Sequence, residues 1–129
     1  YIDVYTKNFN VHNIRLLTPT THKKRLKKIL QHTSGFLYYV SVMGITGTKK
    51  PSINEVRKSL EKIRKISNLP ICVGFGIKNK NQIKSLNKFS DGCVVGSAIV
   101  SFIEEFDKGK YSENQMLKNI SDFLANLKK

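Results

Sequence analysis

Gly35-Phe-Leu-Tyr-Tyr-Val-Ser-Val-Met-Gly-Ile-Thr-Gly47 is the stretch that decides the fold, because it passes from a buried-strand pattern directly into a glycine-flanked loop. Its run from Phe36 to Val42 is aromatic and β-branched, as a strand buried on both faces should be. Two similar transitions follow, Ile71-Cys-Val-Gly-Phe-Gly-Ile77 and Gly92-Cys-Val-Val-Gly-Ser-Ala-Ile-Val100, each with helix-like sequence beyond it. Three such units indicate a parallel sheet with phosphate chemistry at one end.

A fourth strand and helix pattern precedes this stretch. The run from Ile14 to Leu17 predicts a short strand, which Pro19 ends because proline cannot continue a ladder. The neighbouring threonines offer an N-cap for a helix over residues 23–32. Residues 1–12 are weakly amphipathic and are interpreted as the end of a further helix.

The later helices have recognisable beginnings. Ser52 and Glu55 have capping-box spacing, and apolar residues follow them at helical intervals. Further helices are expected from about Asn79, from Ser97, and after a turn at residues 107–110. Strand and helix thus alternate four times without a linker, which predicts one α/β domain over residues 1–129, with a parallel sheet and right-handed crossovers.

Length and composition set limits on the class of protein. At 129 residues and 40% hydrophobic content the chain fits an ordinary soluble domain, but a complete barrel enzyme needs about 250 residues. It begins with Tyr1 rather than Met, which suggests a cut end of something longer. No apolar run approaches the roughly 18 residues of a membrane span, and nothing resembles a secretion signal, so a cytoplasmic location is the default expectation.

A formal net charge of +14 suggests nucleic-acid binding, and the run His22-Lys-Lys-Arg-Leu-Lys-Lys28 resembles a basic patch. The excess, however, is mostly lysine, is spread over every predicted helix except the one that begins at Ser97, and has no aromatic residues interleaved as stacking platforms. Solvated helix faces are therefore the favoured interpretation. A basic nucleic-acid-binding module remains an alternative, whose affinity should fall steeply as salt rises.

The cysteines and histidines indicate no metal site. Cys72 and Cys93 each lie in an apolar strand-like run without CxxC spacing, so buried, reduced thiols are expected. His12, His22 and His32 fall on three different elements without ligand spacing. Metal binding is therefore not expected. Membrane binding is not expected either, because no apolar run is long enough to span a membrane.

The strand ends are where a ligand should bind. In parallel α/β folds the loops after the strands share one rim, here at Thr18, 44–49, 74–78 and Gly96-Ser97. Glycines there allow a phosphate to approach backbone N–H groups, and the helix beginning at Ser97 adds the positive end of its dipole. The alternative is that these glycines only make tight turns between strand and helix.

The motifs together resemble a known family. Gly35-Phe-Leu-Tyr-Tyr-Val-Ser41 with Gly44-Ile-Thr-Gly47, then Gly74-Phe-Gly-Ile77, then Val95-Gly-Ser-Ala-Ile-Val100 look like successive signatures of the tryptophan synthase alpha chain. The preceding Leu17-Thr-Pro-Thr-Thr21 also fits, so the resemblance covers nearly the whole chain. It implies an α/β fold that is the C-terminal half, strands five to eight, of a (β/α)8 TIM barrel.

That resemblance implies a lyase of tryptophan biosynthesis. The family cleaves indole-3-glycerol phosphate by a retro-aldol reaction to indole and glyceraldehyde 3-phosphate. Indole then passes to a beta chain in an alpha2-beta2 assembly. No cofactor is implied for this chain, since pyridoxal phosphate is expected only on the beta chain. Other phosphate-binding barrels, of the indole-glycerol-phosphate synthase or phosphoribosyl isomerase type, remain an alternative that the Gly44-Ile-Thr-Gly47 and Gly74-Phe-Gly-Ile77 motifs disfavour.

By motif match, four residues are implied to bind the phosphate: Gly47, Gly76, Gly96 and Ser97. Three more are implied elsewhere in the substrate site: Tyr38 lining the pocket, Phe75 packing beside indole or glycerol, and Thr46 holding a catalytic carboxylate. Tyr38 and Tyr39 alternate faces of their strand, so only one of them can point into a barrel.

The acid and base that this chemistry needs are missing from the rim. The nine carboxylates are all placed on helices, at termini or before strands: Asp3, Glu55, Glu61, Asp91, Glu104, Glu105, Asp107, Glu113 and Asp122. In the family, the catalytic carboxylates come from the first half of the barrel. We therefore expect no lyase turnover from these 129 residues alone, and measurable indole release would refute that expectation.

Overall fold

The computed structural model describes residues 2–41, 52–74 and 79–128. In this part of the chain, helices and strands alternate up to the last two elements, which are both helices. Their order is α1 (Ile2–Asn8), β1 (Arg15–Leu17), α2 (Lys23–Gln31), β2 (Leu37–Val40), α3 (Ile53–Arg64), β3 (Ile71–Gly74), α4 (Lys80–Leu86), β4 (Gly92–Val94), α5 (Ser97–Asp107) and α6 (Glu113–Lys128).

The four strands form one parallel sheet in the order β1-β2-β3-β4, which is also their order in the chain. One row of register partners runs across the whole sheet, from Leu16 to Tyr38, Cys72 and Gly92. Consecutive parallel strands need a crossover, which the intervening helices supply. The predicted parallel α/β arrangement is confirmed, and all four strands end at the same edge.

One face of the sheet is covered by helices. The buried sheet residues are Leu17, Leu37, Tyr39, Ile71 and Val73, and they form one core with Leu26 of α2, Val56, Leu60 and Ile63 of α3, and Leu86 of α4. Side chains alternate along a strand, so the row that includes Leu16, Tyr38 and Cys72 lies on the opposite face, named here the open face. Within the described residues this face is less covered, and Leu16 at its edge is 60% exposed.

Two helices begin with reciprocal capping. The Ser52 hydroxyl accepts from the Glu55 N–H at 3.3 Å, while a Glu55 carboxylate oxygen accepts from the Ser52 N–H at 2.7 Å, so the predicted capping box is confirmed. The Ser52 N–H and the Ser52 hydroxyl both donate to the Glu55 carboxylate, and they hold the pKa of Glu55 below its ordinary value. Asn79 and Gln82 make the same arrangement at α4, with bonds of 3.0 and 3.3 Å.

The predicted threonine cap of α2 is wrong. The N-cap residue is His22, and its side chain makes no capping bond. The Thr21 hydroxyl instead accepts from the Thr18 N–H at 3.0 Å, closing the turn after β1. The threonines therefore stabilise the turn rather than the helix start, as hydroxyl side chains do when they bond to nearby backbone.

The expectation that both cysteines are buried is also wrong. Cys72 and Cys93 are free thiols of intermediate exposure. Cys72 lies on the open face, and β4, which carries Cys93, has no fully buried residue. Partial burial still raises the pKa of both thiols.

A polar contact connects β3, β4 and α3 at the edge of the sheet where the strands begin. One carboxylate oxygen of Asp91 accepts from the Ile71 N–H at 2.7 Å and from the Arg64 guanidinium at 2.6 Å. The Asp91 N–H donates to the Ile71 carbonyl at 2.9 Å. Burial alone would raise the pKa of Asp91, but the Ile71 N–H and Arg64 outweigh it and hold that pKa below its ordinary value. Asp91 thus joins the start of β3, the approach to β4 and the end of α3.

Replacement of Asp91 by asparagine is expected to lower the free energy of unfolding at pH 7. The Asp91 and Arg64 side chains are each 41% exposed, so solvent screening limits the loss to about 0.5–1 kcal/mol. A lowered folded-state pKa contributes stability above the unfolded pKa and loses it as pH falls through the folded pKa. The difference in free energy of unfolding between the Asp91→Asn variant and the parent should therefore become smaller at strongly acid pH.

Urea denaturation at pH 7 and at acid pH measures this difference. Asp122→Asn is the matched control, because it removes the same charge from an exposed site on α6. If the loss in free energy of unfolding caused by Asp91→Asn stays constant with pH, the carboxylate charge is not what stabilises this contact.

Candidate functional site

The carboxyl ends of the strands lead into the segments where a ligand was predicted. β1 is followed by the Thr18 turn, and β4 is followed by Gly96 and α5. β2 and β3 lead towards residues 42–51 and 75–78, which lie outside the described residues. The predictions for Thr46, Gly47, Phe75 and Gly76 fall there and stay predictions. The described part of the site comprises Tyr38, Gly74, Gly96 and Ser97.

Gly96 and Ser97 form an exposed helix beginning immediately beyond β4. Gly96 is the N-cap of α5, and its carbonyl accepts from the N–H groups of Ile99 at 2.9 Å and Val100 at 3.1 Å. No side chain in the described part of the chain caps this end, and no acidic residue lies in the first turn. The first N–H groups of a helix have no partner inside it, and the dipole there is positive. This helix end can therefore accept an anion such as phosphate.

Neither backbone geometry nor packing explains why residue 96 is glycine. Its φ of −117° is open to any residue, unlike the φ of 72° at Gly109. Among residues 2–41, 52–74 and 79–128, no heavy atom lies within 4 Å of the position that a Cβ at Gly96 would take. The alternative that the glycine only permits a tight turn therefore loses support at this position, and no described residue fills the space beside Gly96.

Tyr38 lies on the open face and leans towards the carboxyl edge. It stands opposite Cys72 in the register, yet its ring lies over Gly74, two residues nearer that edge. A Cβ at Gly74 would overlap the Tyr38 hydroxyl and Cζ, and would lie 2.8 Å from Cε1. The ring can occupy this position only because residue 74 has no side chain.

The ends of β2 and β3 are held together beside this ring. The N–H and the hydroxyl of Ser41 both donate to the Gly74 carbonyl, each at 3.1 Å. Ser41 is itself buried, so these bonds are shielded from water. They fix the strand from which Tyr38 projects relative to the glycine that it covers.

Tyr39 points the opposite way, into the helix-covered core, where it is 1% exposed. The expected alternation of the two tyrosines is confirmed, and Tyr38 is the one on the open face. Sequence reasoning placed Gly74 on the phosphate rim and missed its role as the seat of the Tyr38 ring. The available signal was a glycine on the neighbouring strand, diagonal to an aromatic residue.

The described residues bring no carboxylate to this edge. Asp91 is at the opposite end of the sheet, and the remaining described acids lie on helices. Within residues 2–41, 52–74 and 79–128, no group of three or more His, Cys, Asp or Glu side chains could hold a metal ion. No helix in that part of the chain is long and apolar enough to cross a membrane. The edge can bind and orient a ligand, but it offers no carboxyl group for proton transfer.

Comparisons with known proteins agree on one family. The family model described as tryptophan synthase alpha chain matches residues 1–129. The tryptophan synthase alpha chain of Methanocaldococcus jannaschii is 41% identical over 119 residues, which cover 92% of this chain and 41% of that protein. The corresponding chain of Carboxydothermus hydrogenoformans is 38% identical over 127 residues, covering 98% of this chain and 48% of its own length.

A solved structure shows the same fold. The tryptophan synthase alpha subunit of Campylobacter jejuni is 33% identical and superimposes with a TM-score of 0.70, covering 95% of this chain and 44% of that structure. The chain thus spans less than half the length of each of these three proteins. The four-stranded parallel sheet corresponds to part of their TIM barrel.

Proposed function

The chain belongs to the tryptophan synthase alpha chain family, and from that premise we propose that it supplies the phosphate-binding side of a lyase that cleaves indole-3-glycerol phosphate. The products would be indole and glyceraldehyde 3-phosphate, in a cytoplasmic alpha2-beta2 assembly with a beta chain. The observation that carries the proposal is the uncapped beginning of α5 at Gly96, on the carboxyl edge of the sheet.

The phosphate would bind at Gly96 and Ser97. Both residues are exposed, and no atom of the described residues occupies the space that a Cβ at Gly96 would enter. Backbone N–H groups and the helix dipole favour a dianion there, and the Ser97 hydroxyl is a further donor. Gly47 and Gly76 are proposed to complete this site by motif match.

The indole end of the substrate would lie against the open face. Tyr38 presents its ring there, seated on Gly74 and directed towards the edge that carries Gly96. An aromatic ring offers both an apolar surface and packing geometry suited to indole. Phe75 and Thr46 are proposed to act beside it, respectively as a packing residue and as the partner of a catalytic carboxylate.

Cleavage of the bond between indole C3 and the glycerol chain needs a proton at C3 and removal of a proton from the glycerol hydroxyl. None of the nine carboxylates of this chain lies directly at the carboxyl end of a strand. The acid and the base are therefore proposed to come from other parts of the whole protein. This chain would bind the phosphate and orient the indole. The relatives described above are alpha chains, which favours this function over other phosphate-binding barrels and over nucleic-acid binding.

Substitution of Gly96 by alanine tests the phosphate site. The described residues leave room for a Cβ at Gly96, so we expect the fold to be unchanged while the methyl group enters the proposed phosphate position. We expect the affinity for indole-3-glycerol phosphate to fall about tenfold, which corresponds to about 1.4 kcal/mol. Affinity for indole alone should not change, because indole carries no phosphate.

Calorimetric titration of both compounds measures these affinities. Lys108→Ala is the control, because it removes a positive charge at the far end of α5 without touching its beginning. Equal affinity of the Gly96→Ala variant and the parent for indole-3-glycerol phosphate would remove Gly96 from the phosphate site.

A further inference from the structure

Ser41 is a buried serine directly after β2, and its hydroxyl makes a hydrogen bond that strand pairing does not require. The Ser41 N–H donates to the Gly74 carbonyl at 3.1 Å and so continues the ladder between β2 and β3. The Leu37 N–H does the same at the other end of β2, where it donates to the Pro70 carbonyl at 2.8 Å. The Ser41 hydroxyl donates to the same Gly74 oxygen, also at 3.1 Å, and thereby adds a second restraint on Gly74.

Ser41 and Tyr38 approach Gly74 from opposite faces of the sheet. Ser41 follows the buried Tyr39 by two residues, so its side chain is on the helix-covered side, whereas Tyr38 is on the open face. The Tyr38 ring lies so close to Gly74 that a Cβ there would be 2.8 Å from its Cε1. The Gly74 backbone is therefore held by the Ser41 hydroxyl on one face and contacted by the Tyr38 ring on the other.

The direction of the Gly74 carbonyl affects the surface on which the ring rests. Glycine has more backbone freedom than other residues, because no Cβ restricts its φ and ψ angles. One ladder bond leaves the carbonyl able to tilt about that bond, whereas two donors from different atoms of Ser41 fix its direction. Ser41 and Gly74 are both buried, and a hydrogen bond in such a place is stronger than one in water.

We propose that Ser41 is a positioning residue for the indole end of the substrate, because its hydroxyl acts through Gly74 to keep the Tyr38 ring where indole packs. This inference rests on the proposed function, in which Tyr38 lines that end. Ser41 itself does not contact the substrate, since its side chain is on the helix-covered side of the sheet. Loss of its hydroxyl should weaken the binding of indole and leave the phosphate site at Gly96 unchanged.

Ser90 provides a matched control. It is 8% exposed against 9% for Ser41, and its N–H and hydroxyl both donate to one carbonyl, that of Leu86, each at 3.0 Å. It precedes β4 and so lies at the edge of the sheet where the strands begin, away from the Tyr38 ring. Ser90→Ala and Ser41→Ala should therefore lower the urea concentration at the midpoint of denaturation by similar amounts, but only Ser41→Ala should affect the ring.

Nuclear magnetic resonance reports the position of the ring without any ligand. The Tyr38 ring shifts the resonances of the Gly74 Hα protons that it covers, and Tyr38→Ala gives their values without the ring. In Ser41→Ala these resonances should move towards the Tyr38→Ala values, and in Ser90→Ala they should match those of the parent. Ser41→Thr keeps the hydroxyl and should restore the parent values. Ser41→Cys has nearly the same volume but only a weak donor, so it should resemble Ser41→Ala.

Calorimetric titration with indole and with inorganic phosphate measures the consequence for binding. Loss of one hydrogen bond should weaken indole roughly two- to tenfold in Ser41→Ala, with the affinity for phosphate unchanged. Parent-like Gly74 resonances in Ser41→Ala, or an equal loss of indole affinity in Ser41→Ala and Ser90→Ala, would overturn the inference. If Tyr38→Ala weakens indole and Ser41→Ala does not, this inference alone fails. If neither variant weakens indole, the placement of indole against Tyr38 in the proposed function fails with it.

Discussion

Replacement of Gly74 by alanine is expected to displace the Tyr38 ring and destabilise the protein by about 1–3 kcal/mol, as overpacking of a filled site does. The new methyl group would coincide with the Tyr38 hydroxyl and Cζ. The backbone at Gly74 is held by two bonds from Ser41, so the ring must move instead. Indole binding should weaken with it, because the displaced ring no longer lines the open face as proposed.

A double-mutant cycle isolates this contact. In a Tyr38→Ala background the ring is absent, so adding Gly74→Ala should cost much less than it costs in the parent. Urea denaturation of the four proteins gives the coupling energy, which for residues in contact is about 0.5–3 kcal/mol. If Gly74→Ala lowers the free energy of unfolding by the same amount with and without the Tyr38 ring, the glycine is required by the backbone of β3 and not by the ring.

Substitution of Leu60 by alanine should have the largest effect on stability. Leu60 is 0% exposed and lies on α3 within the core that joins that helix to the sheet. Removal of a leucine side chain from such a site costs about 2–5 kcal/mol, because transfer energy is lost and a cavity remains. The urea concentration at the midpoint of denaturation should fall accordingly. The capping box at the beginning of α3 should not change, because Leu60 takes no part in it.

Leu117→Ala is the matched control for this change. Leu117 is also on a helix, α6, but is 54% exposed, so the same substitution should alter stability by no more than about 0.5 kcal/mol. Comparable losses for the two variants would mean that the core is not concentrated between α3 and the sheet.

Local sequence signals predicted much of the fold. The strand in the stretch Ile71-Cys-Val-Gly-Phe-Gly-Ile77 was predicted, and the structure has it as β3, because an apolar run bounded by proline and glycine has few alternatives. The capping box at Ser52 was predicted from spacing alone, since both partners lie within one turn. The threonine cap failed because two uses of a hydroxyl, helix cap and turn, compete within four residues.

Features that depend on relations between elements could not be predicted in this way. The seat of Tyr38 on Gly74 requires the register of β2 against β3, which no short motif contains. The core in which Tyr39 is buried depends on how α2 and α3 pack over the sheet. Within the candidate site, Gly96 and Ser97 were found because strand, glycine and helix start are contiguous in the chain.

The strand order described above has a consequence for how the chain folds. Each strand pairs with the strand that precedes it, one helix earlier in the chain, so none of the described pairings waits for a distant segment. Closing a short loop costs less entropy than closing a long one, and local topology speeds folding. During synthesis, each of β2, β3 and β4 would therefore emerge after the strand with which it pairs. The sheet would grow in one direction, from β1 to β4.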